Sequence, residues 1–251
     1  MHVESIPHMP RMLLLLLVWS LASSARPATI TLHPNGNLVV LEGRIVQGDL
    51  DRIVAISREA SPTGIYLASP GGNVAEAMRI GALVRRRAWE TRTLDGPDVA
   101  PALRIGVARS YGIRDVTHNG MCASACFFVF IAGIYREGFA LGIHQPYMSP
   151  EEIERISSEE AERRTSGVRA LVEWYLIKMG VPVRYADEMY AVPKESMRWL
   201  TPEEIEADLH GFIPQVRSWV QTQCGDQWRT RRCKDDVMLG IRIRALQDAG
   251  R

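Results

Sequence analysis

The segment Ile65-Tyr66-Leu67-Ala68 is wholly apolar and stops at Ser69-Pro70-Gly71-Gly72, after which the pattern changes at once to helical spacing. A short apolar run that ends in a Gly turn and leads into a helix is a buried strand followed by its crossover. The helix is expected to run to about Trp89, with Val74, Ala77, Met78, Gly81 and Val84 on one face and Glu76, Arg79 and Arg85 pointing out. The same alternation precedes it. Asn37 to Ile45 reads as a strand, and Asp49 to Ala60 as a helix with Leu50, Ile53, Val54 and Ile56 inward. Strand, helix, strand, helix with short apolar strands calls for right-handed crossovers and a mainly parallel sheet, an α/β class.

Further along, Asp95 to Asn119 loses this pattern amid Gly96, Pro97, Pro101, Gly106 and Gly112, and reads as a lid or an irregular excursion. Cys126 to Ile134 is apolar throughout and starts a buried helix. Phe139 to Ile143 reads as a strand that delivers His144 at its end. Ser149-Pro150-Glu151-Glu152 and Thr201-Pro202-Glu203-Glu204 both carry a capping hydroxyl, a first-turn Pro and a Glu placed to reach back. The first is expected to open a charged helix towards Met179, with Val168, Leu171, Val172 and Tyr175 as its apolar stripe and Gly180 and Pro182 after its end.

Arg11, the apolar run Met12 to Leu21 and then Ala22-Ser23-Ser24-Ala25 have the order of a secretory signal peptide, with cleavage after Ala25. The apolar run is about half the ~20 residues that span a bilayer. The expected division is a signal peptide over 1–25, one α/β domain over 26–213 and a C-terminal extension over 214–251, in a periplasmic or secreted protein with no membrane association after cleavage. A formal net charge of +1 implies no nucleic-acid partner. Arg85-Arg86-Arg87 and the stretch from Arg229 to Lys234 read as solvated surface. Export permits disulfides, and the 4 cysteines form two local pairs. Cys224 and Cys233 flank a polar loop with Gly225 and Asp226 that suits a bridge, whereas Cys122 and Cys126 are either bridged or simply buried small residues. Neither pair has a His or further Cys at ligand spacing, so no metal site is expected.

Chemistry concentrates in three islands. Ser69 to Gly72 offers a turn whose glycines can point backbone N–H groups at a ligand oxygen. Gly120-Met121-Cys122-Ala123-Ser124-Ala125-Cys126 sets a serine among small neighbours that leave its Oγ uncrowded. Gly142-Ile143-His144-Gln145-Pro146 supplies an imidazole. Oxyanion donors, a nucleophile and a base are what acyl transfer to serine requires. His33, His118 and His210 lack comparable context, although His118 lies close to Ser124 in sequence.

On these islands the chain resembles the proteolytic subunit of the Clp protease, within the ClpP/crotonase superfamily, from about Leu38 to His210. Ser69 to Gly72 is similar to the family's Ser-Pro-Gly-Gly turn, Gly120 to Ser124 to its Gly-x-x-x-Ser element, and Ile143 to Pro146 to its Ile-His-Gln-Pro loop. Trp199-Leu200-Thr201-Pro202-Glu203-Glu204 is similar to its aromatic-Leu helix entry. With a signal peptide and the Cys-x-Ser-x-Cys variant, the likeness is greatest to predicted periplasmic relatives. The resemblance implies an α/β fold of ClpP/crotonase-like repeated ββα units and a serine peptidase-like hydrolase acting on a peptide or protein without a cofactor, in a family given to oligomerisation. Ser124 would be its nucleophile, His144 its base, and the Gly72 and Ala125 N–H groups its oxyanion hole. The family's acid falls two residues before the aromatic-Leu pair, where this chain has Met197. A shifted carboxylate at Glu195, or further upstream at Asp187 or Glu188, would have to replace it, or a backbone carbonyl would orient the imidazole. The alternative is a catalytically weak or inactive binding or scaffold protein of the same fold. A crotonase-like acyl-CoA enzyme would share the oxyanion geometry, but export and the Ser/His islands count against it.

Overall fold

The computed structural model of the chain describes residues 27–34, 36–93, 121–148 and 153–249. The signal-peptide segment, the Asp95 to Asn119 excursion with His118, and the helix signature at Ser149 to Glu152 lie outside the described residues. Strands β1 (Thr29–Leu32), β2 (Leu38–Glu42), β3 (Gly64–Ala68), β4 (Glu90–Thr93), β6 (Tyr135–Glu137) and β9 (Gly211–Phe212) form a six-stranded sheet in the order β1-β2-β3-β4-β6-β9. Its centre from β2 to β6 is parallel, and β1 and β9 close the two edges antiparallel. The chain is therefore a mixed α/β protein with a mainly parallel sheet. A smaller sheet of β5 (Cys122–Ala123), β7 (Leu141–Ile143) and β8 (Arg198–Trp199) joins the first where Ser69, just past β3, bridges Cys122.

The apolar strands β2 and β3 are buried along their whole length. Crossover helices α1 (Asp49–Glu59) and α2 (Val74–Arg86) lie where the sequence places them, and Ile53, Ala77, Met78 and Val84 enter the core. Two outward assignments are corrected. Glu76 is 2% exposed: its Oε1 accepts from the Gly48 and Leu50 N–H groups at 3.1 and 2.8 Å, and Arg79 holds its Oε2. A carboxylate on the first amides of α1 is favourable because those donors have no partner within their own helix. Arg85 also turns inward, donating from Nε to the Ala132 carbonyl at 2.8 Å.

Helix α3 (Ala125–Phe130) is buried at every residue. The long α4 (Ser158–Lys178) is opened by Ser157, whose Oγ accepts from the Glu160 N–H. Val172 and Tyr175 are buried and Val168 partly so, but Leu171 of the expected stripe is exposed. Arg136, fully buried on β6, donates to the carbonyl of Met179 at the end of α4, where Arg85 also donates. Burial without a carboxylate pushes the Arg136 guanidinium down to about 9. Helix α5 (Arg184–Tyr190) follows, and Thr201 forms the expected capping box with Glu204 at α6 (Pro202–Glu204).

Past Phe212, helices α7 (Pro214–Cys224) and α8 (Arg231–Ala249) build a second apolar cluster from Phe212, Ile213, Val220, Val237 and Met238. The Cys224–Cys233 disulfide ties the two helices together. The solvated reading of the stretch from Arg229 to Lys234 fails at Lys234, which is buried and pairs with Glu90 of β4 at 3.3 Å.

Candidate active site

The Gly turn is shaped by Ser69. Its hydroxyl is fully buried and accepts from the Gly71 N–H at 3.0 Å. Gly71 and Gly72 then take φ values of 103° and 139°, which side chains with a Cβ rarely adopt. Space forbids a Cβ as well. At Gly71 it would lie 2.6 Å from Ser124 Cβ, and at Gly72 2.1 Å from the Ile45 carbonyl oxygen. Ile45 grips both sides of the turn, donating to the Gly71 carbonyl at 2.8 Å and accepting from the Asn73 N–H at 2.9 Å. Among the described residues the Gly72 N–H donates to no backbone carbonyl.

Ser124 is the single residue between β5 and α3, with φ 55° and ψ −124°. A sharp strand-to-helix turn through such a conformation lifts a side chain clear of the backbone on either side. The turn is pinned on three sides. The Ser124 N–H donates to the Gly142 carbonyl at 2.9 Å, the Ala123 N–H to the Ser69 carbonyl at 3.0 Å, and the Ser69 N–H to the Met121 carbonyl at 2.8 Å. Cys122 and Cys126 form a disulfide across it, with Cα atoms 5.2 Å apart, so of the two readings of this pair the bridged one holds. Ala125 begins the helix, and its N–H has no backbone acceptor among the described residues. The Gly71 backbone packs directly on this turn, since a Cβ there would sit 2.9 Å from Ala125 N.

His144 is the first residue past β7 and is 8% exposed. Parallel pairing of Ala123 with Gly142 brings the ends of β5 and β7, and with them Ser124 and His144, to the same end of the small sheet. Among the described residues no hydrogen bond joins the two side chains. Burial pushes the imidazole below its ordinary value, opposed in part by the Gln145 backbone. Its Nδ1 is buried and has no hydrogen-bond partner among the described residues. The antiparallel register of β7 with β8 pairs Gly142 with Trp199 and Ile143 with Arg198, so one step further it runs to His144 and Met197. Met197 lies close by, its Sδ 2.8 Å from where a Cβ on Gly142 would be.

The carboxylates weighed as substitutes are engaged elsewhere. Glu195 has a side chain 69% exposed and lies 3.9 Å from Lys194. Asp187 pairs with Arg169, and Glu188 with Arg198 and Arg184. None of the three is a hydrogen-bond partner of His144.

A cleft of about 460 Å³ opens over Ser124 and Gly72. Val74 of α2, Tyr147, Val168 of α4 and Tyr190 of α5 contribute its apolar walls. The tilted Tyr147 ring lies 5.9 Å from that of His144. Sequence reading missed these walls, although Tyr147 directly follows the Gln-Pro pair that singled out the loop. Among the described residues no group of His, Cys, Asp and Glu side chains is arranged to hold a metal ion. No described helix is long and apolar enough to cross a membrane.

No protein-family model matches the chain, and no curated protein matches it in sequence. Solved structures do. A mutant of the 1510-N membrane-bound stomatin-specific protease is 16% identical, with 74% of this chain and 83% of that one covered and a TM-score of 0.42. A ClpP1 mutant from Listeria monocytogenes is 17% identical over 68% of this chain and 86% of that one, with a TM-score of 0.43. A second mutant of the stomatin-specific protease, in complex with a substrate peptide, is 15% identical over 71% and 73%, with a TM-score of 0.39.

Proposed function

We propose that the protein is an exported serine peptidase-like hydrolase whose domain over 26–213 carries the site. The observation that carries this reading is the conformation of Ser124, raised on a strand-to-helix turn against Gly71-Gly72 at the floor of a cleft. Ser124 Oγ attacks the carbonyl of a peptide bond while His144 takes its proton. The Gly72 and Ala125 N–H groups hold the oxyanion, and the proton then passes to the leaving amine. Water releases the acyl group from Ser124 by the same relay. The lowered imidazole pKa keeps His144 neutral, the form a general base needs. The disulfides Cys122–Cys126 and Cys224–Cys233 favour an oxidising compartment, the periplasm or the exterior.

A second reading, a catalytically weak or inactive binding or scaffold protein of this fold, draws on Met197, which like His144 lies one residue past the last β7–β8 pair, and on the unpartnered Nδ1. Loss of the orienting acid alone lowers the rate of a serine triad by ~10⁴-fold without removing the mechanism. Fluorophosphonate labelling separates the two. Native protein should label at Ser124, and Ser124→Ala, His144→Ala and heat-denatured protein should not. Absence of labelling in folded wild type, together with no hydrolysis of a peptide library, would establish the scaffold reading.

A further inference from the structure

The disulfide around the nucleophile points beyond the hydrolase reading. Cys122 opens the two-residue β5, Cys126 is the second residue of α3, and Ser124 stands midway between them. Four extended steps of chain would span ~13 Å, yet the two Cα atoms are 5.2 Å apart. The covalent link therefore enforces the reversal that Ser124 makes. Ser124 needs such enforcement, because φ 55° with ψ −124° is a conformation that residues with a Cβ leave when they are free to. Hydrogen bonds from the Ser124 and Ala123 N–H groups fix the entry from β5. On the exit side the one backbone hydrogen bond back to the turn among the described residues is from the Phe127 N–H to the Ser124 carbonyl at 3.0 Å. The helix start is where the disulfide acts, and Cys126 and its partner are both fully buried.

We propose that Cys122 and Cys126 are positioning residues whose disulfide holds Ser124 in its reactive conformation, so that reactivity of the serine depends on the oxidised state of this bond. The proposal rests on the hydrolase reading for its consequence in activity, but not for its statement about conformation. Reduction by a phosphine breaks the S–S bond and leaves two thiols. The phosphine becomes its oxide, taking oxygen and releasing two hydrogens from water to the sulfurs. Ser124 is then free to relax towards negative φ, which swings its side chain away from the Gly71 backbone that its Cβ packs against.

Two readouts test this. The first is the rate of fluorophosphonate labelling at Ser124, split into probe affinity and inactivation rate. Cys122→Ala/Cys126→Ala should label at least tenfold more slowly through the inactivation rate, with affinity kept. Phosphine-reduced wild type, which loses no side-chain atom, should behave alike and recover on reoxidation. Cys224→Ala/Cys233→Ala should label as wild type and lose labelling on reduction. The second readout needs no activity: the intraresidue amide-to-Hα cross-peak of Ser124 in NMR, strong only at positive φ. It should weaken in the Cys122→Ala/Cys126→Ala variant and in reduced wild type, and return on reoxidation. A cross-peak that persists without the bond overturns the proposal whatever the probe does. A cross-peak lost with the bond, in a protein whose wild type never labels, upholds the positioning and removes the hydrolase reading instead.

Discussion

Met197→Asp is the perturbation that most directly interrogates His144. Carried one residue past its last pair, the register of β7 and β8 sets position 197 opposite His144, and directly opposed residues in antiparallel strands have Cβ atoms ~5 Å apart. A carboxylate at that separation from an imidazole raises the imidazole pKa by ~1–3 units, or about 1.4–4 kcal/mol in favour of the protonated form. Wild-type His144 is displaced the other way, because burial penalises its charge. The sign in stability follows. With the folded pKa below the unfolded one, the unfolded chain binds more protons between the two values, so wild type loses stability as pH falls through the ordinary imidazole range. Where Met197→Asp lifts the folded pKa above the unfolded one, the His144 contribution is instead present at low pH and lost as pH rises through the new value. Two measurements suffice, the titration of His144 by NMR and the midpoint of urea unfolding from pH 5 to 8. The hydrolase reading adds that probe labelling should accelerate, since the aspartate stabilises the imidazolium formed as Ser124 attacks. An unshifted or lowered His144 pKa in a folded Met197→Asp protein would refute the register argument and the role given to this position.

Other perturbations are simpler. Gly72→Ala forces a Cβ to within 2.1 Å of the Ile45 carbonyl at φ 139°. Conformational strain alone costs ~1–3 kcal/mol, and the displaced turn should abolish probe labelling; a variant that melts and labels as wild type would contradict the site. Lys234→Met leaves Glu90 buried with Arg92 at 3.1 Å as its remaining partner. It should destabilise by about 1–3 kcal/mol, less than the full loss of a buried pair, as measured by urea unfolding with Glu90→Gln/Lys234→Met as the compensating control.

What the sequence disclosed followed from where partners lie along the chain. β2 and β3 were legible because burial on both faces leaves an apolar run. β4, reading Glu-Thr-Arg-Thr, and β6, reading Tyr-Arg-Glu, were not, although β4 is mostly buried and Arg136 at the centre of β6 is fully so. Their polar groups are satisfied by residues remote in sequence: Thr91 Oγ1 donates to the Phe130 carbonyl at 2.7 Å, Glu90 meets Lys234, and Arg136 meets the Met179 carbonyl. Glu76 misled for the same reason, being a plain first-turn acid until α1 supplies its amides. In the site, Ser124 and the glycines stood out because tight turns restrict residue type locally. The walls from Val168 and Tyr190 did not, since their place depends on how α4 and α5 dock.

The grip of Arg85 and Arg136 on Met179 gives α4 the mechanics of a lever. Its buried residues, Val172, Tyr175 and Leu176, all lie in the half nearest that grip, while the half nearer Ser158 is mostly solvent-facing. A helix of 21 residues is ~31 Å long, so a tilt of ~10° about the Met179 end carries the Ser158 end through ~5 Å. Val168, roughly halfway along, moves through ~3 Å by the same rule. Two arginines on a carbonyl remote from Ser124 thus sit where such a tilt would pivot, and the cleft above the serine would widen or narrow with it.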